Sequence, residues 1–130
     1  MMTRKELIVV LNSMTTKYHL TWKDTKYAAD GAIVKINAYL GTTYPMMSTI
    51  LTKPESTYSY IASGTIYPYF SDEYIYNIVI PFVAMEVLAM DEEFTALYNK
   101  LQMDLDDGLF TMFQNEFNRV PFALRDDPDK

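Results

Sequence analysis

The side chains that could do chemistry in this sequence are few and scattered. His19 is the only histidine. It lies between Tyr18 and Leu20, five residues before Asp24, and an imidazole oriented by a carboxylate is one part of a general-base site. No nucleophile motif accompanies it, and a cationic side chain where a helix ends is ordinary capping. Carboxylates gather as Asp91-Glu92-Glu93 and as Asp104, Asp106 and Asp107. A hard cation wants about six converging oxygens, and calcium loops alternate Asp or Asn around a glycine turn with a closing glutamate. Neither cluster has that pattern. The first matches the positive end of a helix dipole, and the second reads as a solvated helix face. The di-metal bundle signature, Glu-x-x-His on two helices, cannot be built with one histidine. Gly31, Gly41, Gly64 and Gly108 stand too far apart for a P-loop or a dinucleotide turn. The absence of cysteine removes disulfides, thiolate zinc sites and thiol catalysis. The expectation is a protein that is not an enzyme, with no catalytic residues, no cofactor and no metal.

The frame around these residues is that of one domain. The chain has 130 residues, 49% hydrophobic and 22% charged, enough to bury roughly two thirds of its unfolded surface. A net charge of −6 disfavours a generic affinity for nucleic acid backbone or anionic lipid, and no basic patch with interleaved aromatics is present. The first 14 residues carry Arg4, Lys5 and Glu6 rather than the apolar core of a secretory signal. The best membrane candidate, Ile78 to Met90, is broken by Pro81 and Glu86, and its 13 positions fall short of the ~20 that span a bilayer. A soluble, cytoplasmically made protein is expected.

Helices must position these groups. Thr3-Arg4-Lys5-Glu6 has capping-box spacing, and Leu7, Val10 or Leu11, and Met14 recur behind it, predicting a helix over about residues 4 to 18. Thr21 with Asp24 starts a second, in which Ala29, Ile33, Ile36 and Leu40 form one stripe. Lys26, Asp30, Lys35 and Asn37 supply its exposed face. Gly41 sits where a left-handed cap is wanted, and Gly31 offers room for a neighbouring helix. Ser71 with Asp72 and Glu73 opens a third, striped by Ile75, Ile78, Phe82, Met85 and Ala89 and widened by Val79, Val83 and Leu88. Pro81 should kink or split it. From Asp91 a last, long helix carries Phe94, Leu97, Tyr98, Leu101, Leu105, Leu109, Met112 or Phe113, and Phe117. Asp104, Asp106 and Asp107 lie opposite that stripe, Gly108 adds a soft point, and Pro121 stops the helix. Residues 121 to 130 form an extended, polar tail. The fold class expected is an all-α bundle of about four helices over residues 1 to 120.

Between the second and third helices, residues 42 to 70 lose periodicity and are rich in Ser, Thr and Tyr, punctuated by Pro45, Pro54, Gly64 and Pro68. An insertion of that length is either functional or holds its own structure. The alternation in 58–62 and 65–69 is compatible with a small hairpin, with Pro68 on an edge. Tyr44, Tyr58, Tyr60, Tyr67, Tyr69, Tyr74 and Tyr76 crowd this region. Tyrosine gives large contact area at low side-chain entropy, so Tyr58, Tyr60, Tyr67 and Tyr69 are interface candidates; the alternative is that about half of the rings close the bundle as core.

Charge is divided along the chain. Residues 1 to 54 hold seven basic and three acidic residues, and residues 55 to 130 hold four basic and 14 acidic. Unlike ends can draw copies together head to flank, as in a heterologous ring; differently solvated helix faces would give the same count.

The segment Ala28-Ala29-x-x-x-Ile33-x-x-Ile36-Asn37-x-Tyr39-Leu40-Gly41-x-x-Tyr44-Pro45 resembles the helix-ending signature of the head-tail connector proteins of tailed bacteriophages, adaptors that complete the head. The Pro81 helix and the acidic helix from Asp91 follow the order of elements in that family. The resemblance covers about two thirds of the chain, and the length of the tyrosine-rich insertion departs from the smaller members. It implies a structural virion protein of the neck, assembled in the host cytoplasm as a homo-oligomeric ring, commonly a dodecamer, beneath the portal protein. Such a ring continues the DNA channel and receives tail or neck proteins. Double-stranded DNA would pass without sequence readout, and carboxylates would keep the duplex from sticking; Asp104, Asp106 and Asp107 are the channel-facing candidates. The tail would order on the portal or tail proteins, with Phe122 and Leu124 as anchors. Two other functions fit the residues. One is a small acidic helical interaction or regulatory module, such as a phage-encoded inhibitor whose surface mimics nucleic acid; the other is a small enzyme using His19.

Overall fold

The structure, a computed structural model, describes residues 2–15, 19–58, 70–89 and 95–119. Helix α1 (Arg4–Met14) is capped by Thr3, whose hydroxyl accepts the Glu6 N–H at 3.1 Å and donates to the Glu6 carboxylate at 3.2 Å. Leu7 and Leu11, one turn apart, are buried. The helix ends at Met14 rather than near residue 18. Thr15 leaves helical geometry (φ −115°, ψ 59°), and its N–H and hydroxyl both bond the Leu11 carbonyl, at 2.9 and 2.8 Å. A threonine hydroxyl that claims a helix carbonyl is a known competitor of helix continuation.

Helix α2 (Trp22–Leu40) opens with the full capping box. Thr21 Oγ1 accepts the Asp24 N–H, and the Asp24 carboxylate accepts the Thr21 N–H at 3.0 Å. Ala29, Ile33 and Ile36 are buried and Leu40 is half-buried, as the stripe predicts. Gly41 ends the helix at φ 68°, ψ 30°, the left-handed conformation that a residue without Cβ adopts most cheaply.

The next segment, residues 42–58, has its own structure. Helix α3 (Met47–Ile50) is a single turn whose Ser48 donates its N–H and hydroxyl to the two carboxylate oxygens of Asp30, at 2.8 and 2.6 Å. Asn37 binds the preceding turn. Its amide donates to the Tyr44 carbonyl at 2.9 Å and accepts the Tyr44 N–H and the Thr42 hydroxyl at 2.9 and 2.8 Å. Asp30 and Asn37 therefore hold the insertion on α2 instead of serving as its solvent face. At the far end, Arg4 and Lys5 of α1 donate their free first-turn N–H groups to the Ser56 and Pro54 carbonyls, each at 2.9 Å. An isolated antiparallel bridge joins Thr3 to Thr57, and no strand forms among the described residues. The hairpin expected within 58–69 lies outside the described residues apart from Tyr58.

Helix α4 (Asp72–Tyr74), a π-helical segment (Ile75–Val79) and helix α5 (Ile80–Leu88) follow without interruption. The Ile80 N–H reaches back five residues to the Ile75 carbonyl. This is how the chain absorbs Pro81, whose ring cannot donate to the Asn77 carbonyl one turn earlier. Ser71 sits at the N-cap position without a side-chain cap; Asp72 instead accepts the Met2 N–H at 2.9 Å. Helix α6 (Thr95–Arg119) runs unbroken through Gly108. Its Leu101, Leu105, Leu109 and Met112 are buried, and Phe113 is exposed. Helix α5 is central and packs on α1, α2 and α6, so its Val83, Ala84 and Leu88 are buried. The fold is all-α, with α1, α2, the α4-to-α5 run and α6 as the long helical pieces expected and α3 added within the insertion.

Candidate interaction surfaces

The three channel-facing candidates stand exposed on α6 but not together. Asp104 and Asp107 join Glu73 and Tyr76 around a cleft of about 420 Å³ whose lining also includes Pro81 and Gly108. Asp106 is turned away, accepting the Gln102 amide at 3.2 Å. Among the described residues no group of three His, Cys, Asp or Glu side chains is arranged to hold a metal ion. No helix of the described residues is long and apolar enough to cross a membrane.

Tyr58 does not stand at the surface. It is 1% exposed, its hydroxyl donates to the Pro45 carbonyl, and its ring meets Phe70 edge-on at 4.9 Å. Tyr44 and Tyr74 pack on the same Phe70 ring at 5.1 and 5.7 Å. Phe70 is fully buried, so these aromatics tie both ends of the insertion into the core. T-shaped pairs of this kind add roughly 0.5–1.5 kcal/mol each beyond the area they bury. As an interface candidate Tyr58 is thus corrected: a phenol with a backbone carbonyl within reach closes the core better than it stays wet. Tyr60, Tyr67, Tyr69, Phe122 and Leu124 lie outside the described residues, as do the 121–130 tail and Asp91-Glu92-Glu93.

The exposed apolar groups are elsewhere. On α2, Tyr27 is 74% and Val34 56% exposed; on α6, Met103 is 67% and Phe110 54% exposed. Both pairs are seven residues apart, two helical turns, and each lies opposite its helix's buried stripe. Tyr39 and Phe113 form an exposed edge-on pair at 6.0 Å where α2 meets α6. The surroundings differ in sign. Lys23 and Lys26 accompany Tyr27, with the Lys26 ammonium 5.0 Å from the centre of its ring, whereas Asp106 and Asp107 lie between Met103 and Phe110. These four apolar residues do not enter the sequence reading; their signal is apolar spacing on the charged side of a helix.

His19 is exposed, ahead of Leu20, whose backbone N–H and carbonyl are both held by the Asn12 amide at 2.7 and 3.0 Å. The carboxylate that could have oriented it, Asp24, caps α2. The Thr21 N–H and hydroxyl, with the Lys23 charge nearby, hold Asp24 below its ordinary pKa of 3.8.

A scan against models of known protein families finds no match, and neither a curated protein nor a solved structure is found to be similar.

Proposed function

We propose that this chain is a structural assembly protein, a head-tail connector that forms a ring beneath the portal of a tailed bacteriophage and presents a platform for the tail. The observation that carries the reading is the pair of exposed apolar stripes on α2 and α6, set among basic and acidic residues respectively. Exposed apolar groups that share a face and are rimmed by charge mark interaction surfaces. The resemblance of residues 28 to 45 to connector proteins gives that surface its context. Of the three aspartates of α6, Asp104 would supply a carboxylate toward a passing duplex, where negative charge repels phosphate and prevents retention. The tail residues Phe122 and Leu124 would dock on the portal or on a tail protein.

The test is made in particles. Removing the gene from its phage should yield DNA-filled heads without tails, and the chain should be present in purified wild-type virions. Deleting residues 122 to 130 should leave the purified protein helical and give the same tailless particles. Infectious particles lacking the chain would overturn the reading.

A second function draws support from the acidic cleft of Glu73, Asp104 and Asp107, which suits a cationic side chain of a partner. An acidic interaction module would bind a host protein and be absent from virions, so the same particle analysis separates the two.

A further inference from the structure

We propose that the α2 and α6 stripes are the two halves of one contact between copies of this chain, with the outer face of α2 in one copy lying against the outer face of α6 in the next. The inference rests on the assembly reading above and names the surface it uses. Tyr27 and Val34 stand seven residues apart on α2, and Met103 and Phe110 stand seven residues apart on α6. At 1.5 Å per residue each pair spans about 10 Å, so two helices laid side by side bring both apolar pairs into register.

The net charges beside the two stripes are opposite in sign, with Lys23, Lys26 and Lys35 against Asp24 and Asp30 on α2, and Asp104, Asp106 and Asp107 against Lys100 on α6. Lys23 precedes Tyr27 by one turn, and Lys26 holds its ammonium against the Tyr27 ring. Asp106 and Asp107 fall between Met103 and Phe110. Of the two carboxylates on α2, Asp24 is engaged by the Thr21 cap and Asp30 by Ser48, and the lysines outnumber them beside the stripe. Aromatic rings and methionine at the centre with charge at the rim is the usual anatomy of an interface.

The two faces belong to different helices and are both exposed in one molecule, so the contact is heterologous: each copy offers α2 to one neighbour and α6 to another. Such a contact propagates, closing into a ring where the rotation permits. Stripes of this size are small against the ~800 Å² per partner of a stable pair, which suits an assembly where closure supplies every copy with two contacts. The three aspartates then divide. Asp106 and Asp107 go to the neighbour, and Asp104, beside Glu73, remains for the channel.

Charge reversal tests this on the purified full chain by sedimentation velocity and light scattering, with circular dichroism as the control for folding. The wild type should form an oligomer larger than a dimer. Lys23→Glu/Lys26→Glu alone and Asp106→Lys/Asp107→Lys alone should each weaken association roughly tenfold or more, because like charges then face each other. Mixing the two variants, or combining all four substitutions in one chain, should restore it. A wild type that stays monomeric at every concentration, single reversals that assemble like wild type, or a fourfold variant that is folded but does not assemble would each overturn the contact. A chain found in virions with no such self-association would defeat this inference and leave the connector reading standing; self-association through these faces in a protein absent from virions would do the reverse.

Discussion

The backbone of α6 at Gly108 lies so close to the Asn77 carbonyl that a Cβ at position 108 would stand 2.5 Å from that oxygen and 3.1 Å from its carbon. Asn77 is one turn before Pro81, so its carbonyl lacks the usual helical donor, and the π segment in which it sits is pressed on α6 at the one residue without a side chain. Gly108 therefore permits a close helix crossing; the softening expected of a mid-helix glycine is not seen.

Replacing Gly108 by alanine should destabilise the protein. In a helix free of neighbours the change would stabilise by about 1 kcal/mol; here the methyl group meets backbone, and overpacking of that kind costs roughly 1–3 kcal/mol. Gly31 is the internal comparison. A Cβ there meets only the Phe82 ring edge at 3.2 Å, a half-buried side chain that can yield, so Gly31→Ala should be far milder. Urea midpoints of the two variants decide it, and equal effects would show that the α6 crossing is not tight.

Asp30→Ala should loosen the insertion without unfolding α2. It removes both acceptors of Ser48 and leaves the N-terminus of α3 uncapped, a loss of about 1–2 kcal/mol by analogy with helix caps. Ser48→Ala should cost less, since its backbone N–H still reaches the carboxylate. A double-mutant cycle over the two, read from thermal unfolding, should give a coupling of about 0.5 kcal/mol or more.

What was legible in the sequence was whatever repeats or punctuates. The buried stripes of α1, α2, α5 and α6 follow from spacing, and the Thr21–Asp24 box and the Gly41 cap follow from residue types with one structural use. Pro81 announced a break, and the π segment is the form it took. Contacts across the chain were not legible. Asn12 and Asn37 each use both ends of one amide on a backbone seven or eight residues ahead, a pairing no local pattern signals. Asp30 looks like a surface charge until α3 is folded beside it. Tyr58 looks like an interface ring for the same reason, because its burial depends on Phe70, twelve residues further along. Among the candidate site residues, Asp104, Asp106 and Asp107 were correctly read as exposed, while their division between a cleft and an outer stripe depends on where the π segment packs.

Tyr58→Phe keeps the ring against Phe70 and removes only the hydroxyl that donates to the Pro45 carbonyl. It should cost about 1 kcal/mol and leave self-association unchanged. Tyr58→Ala opens a cavity beside a fully buried ring and should cost about 3–5 kcal/mol. If Tyr58 were instead an intermolecular anchor, the phenylalanine variant would change the association constant while leaving the unfolding midpoint of the monomer untouched.

The Thr21–Asp24 box gives the protein a defined acid dependence. The Asp24 carboxylate accepts from the Thr21 N–H and hydroxyl in the folded chain, which lowers its pKa beneath the ordinary 3.8. A carboxyl group whose folded pKa lies below its unfolded one binds more protons when unfolded, so stability rises with pH across the interval between the two values. The contribution is complete above about pH 4 and is lost as the pH falls through the folded pKa. Asp24→Asn removes that titration: the variant should be less stable than wild type near neutrality, and its midpoint should fall less steeply as the pH drops below about 4. Thr21→Ala takes away the other half of the box and should cost about 1 kcal/mol at pH 7, with the Asp24 pKa moving back toward its ordinary value in a carboxyl NMR titration. An Asp24 resonance that titrates alike in wild type and Thr21→Ala would mean that the cap is not what holds the carboxylate ionised.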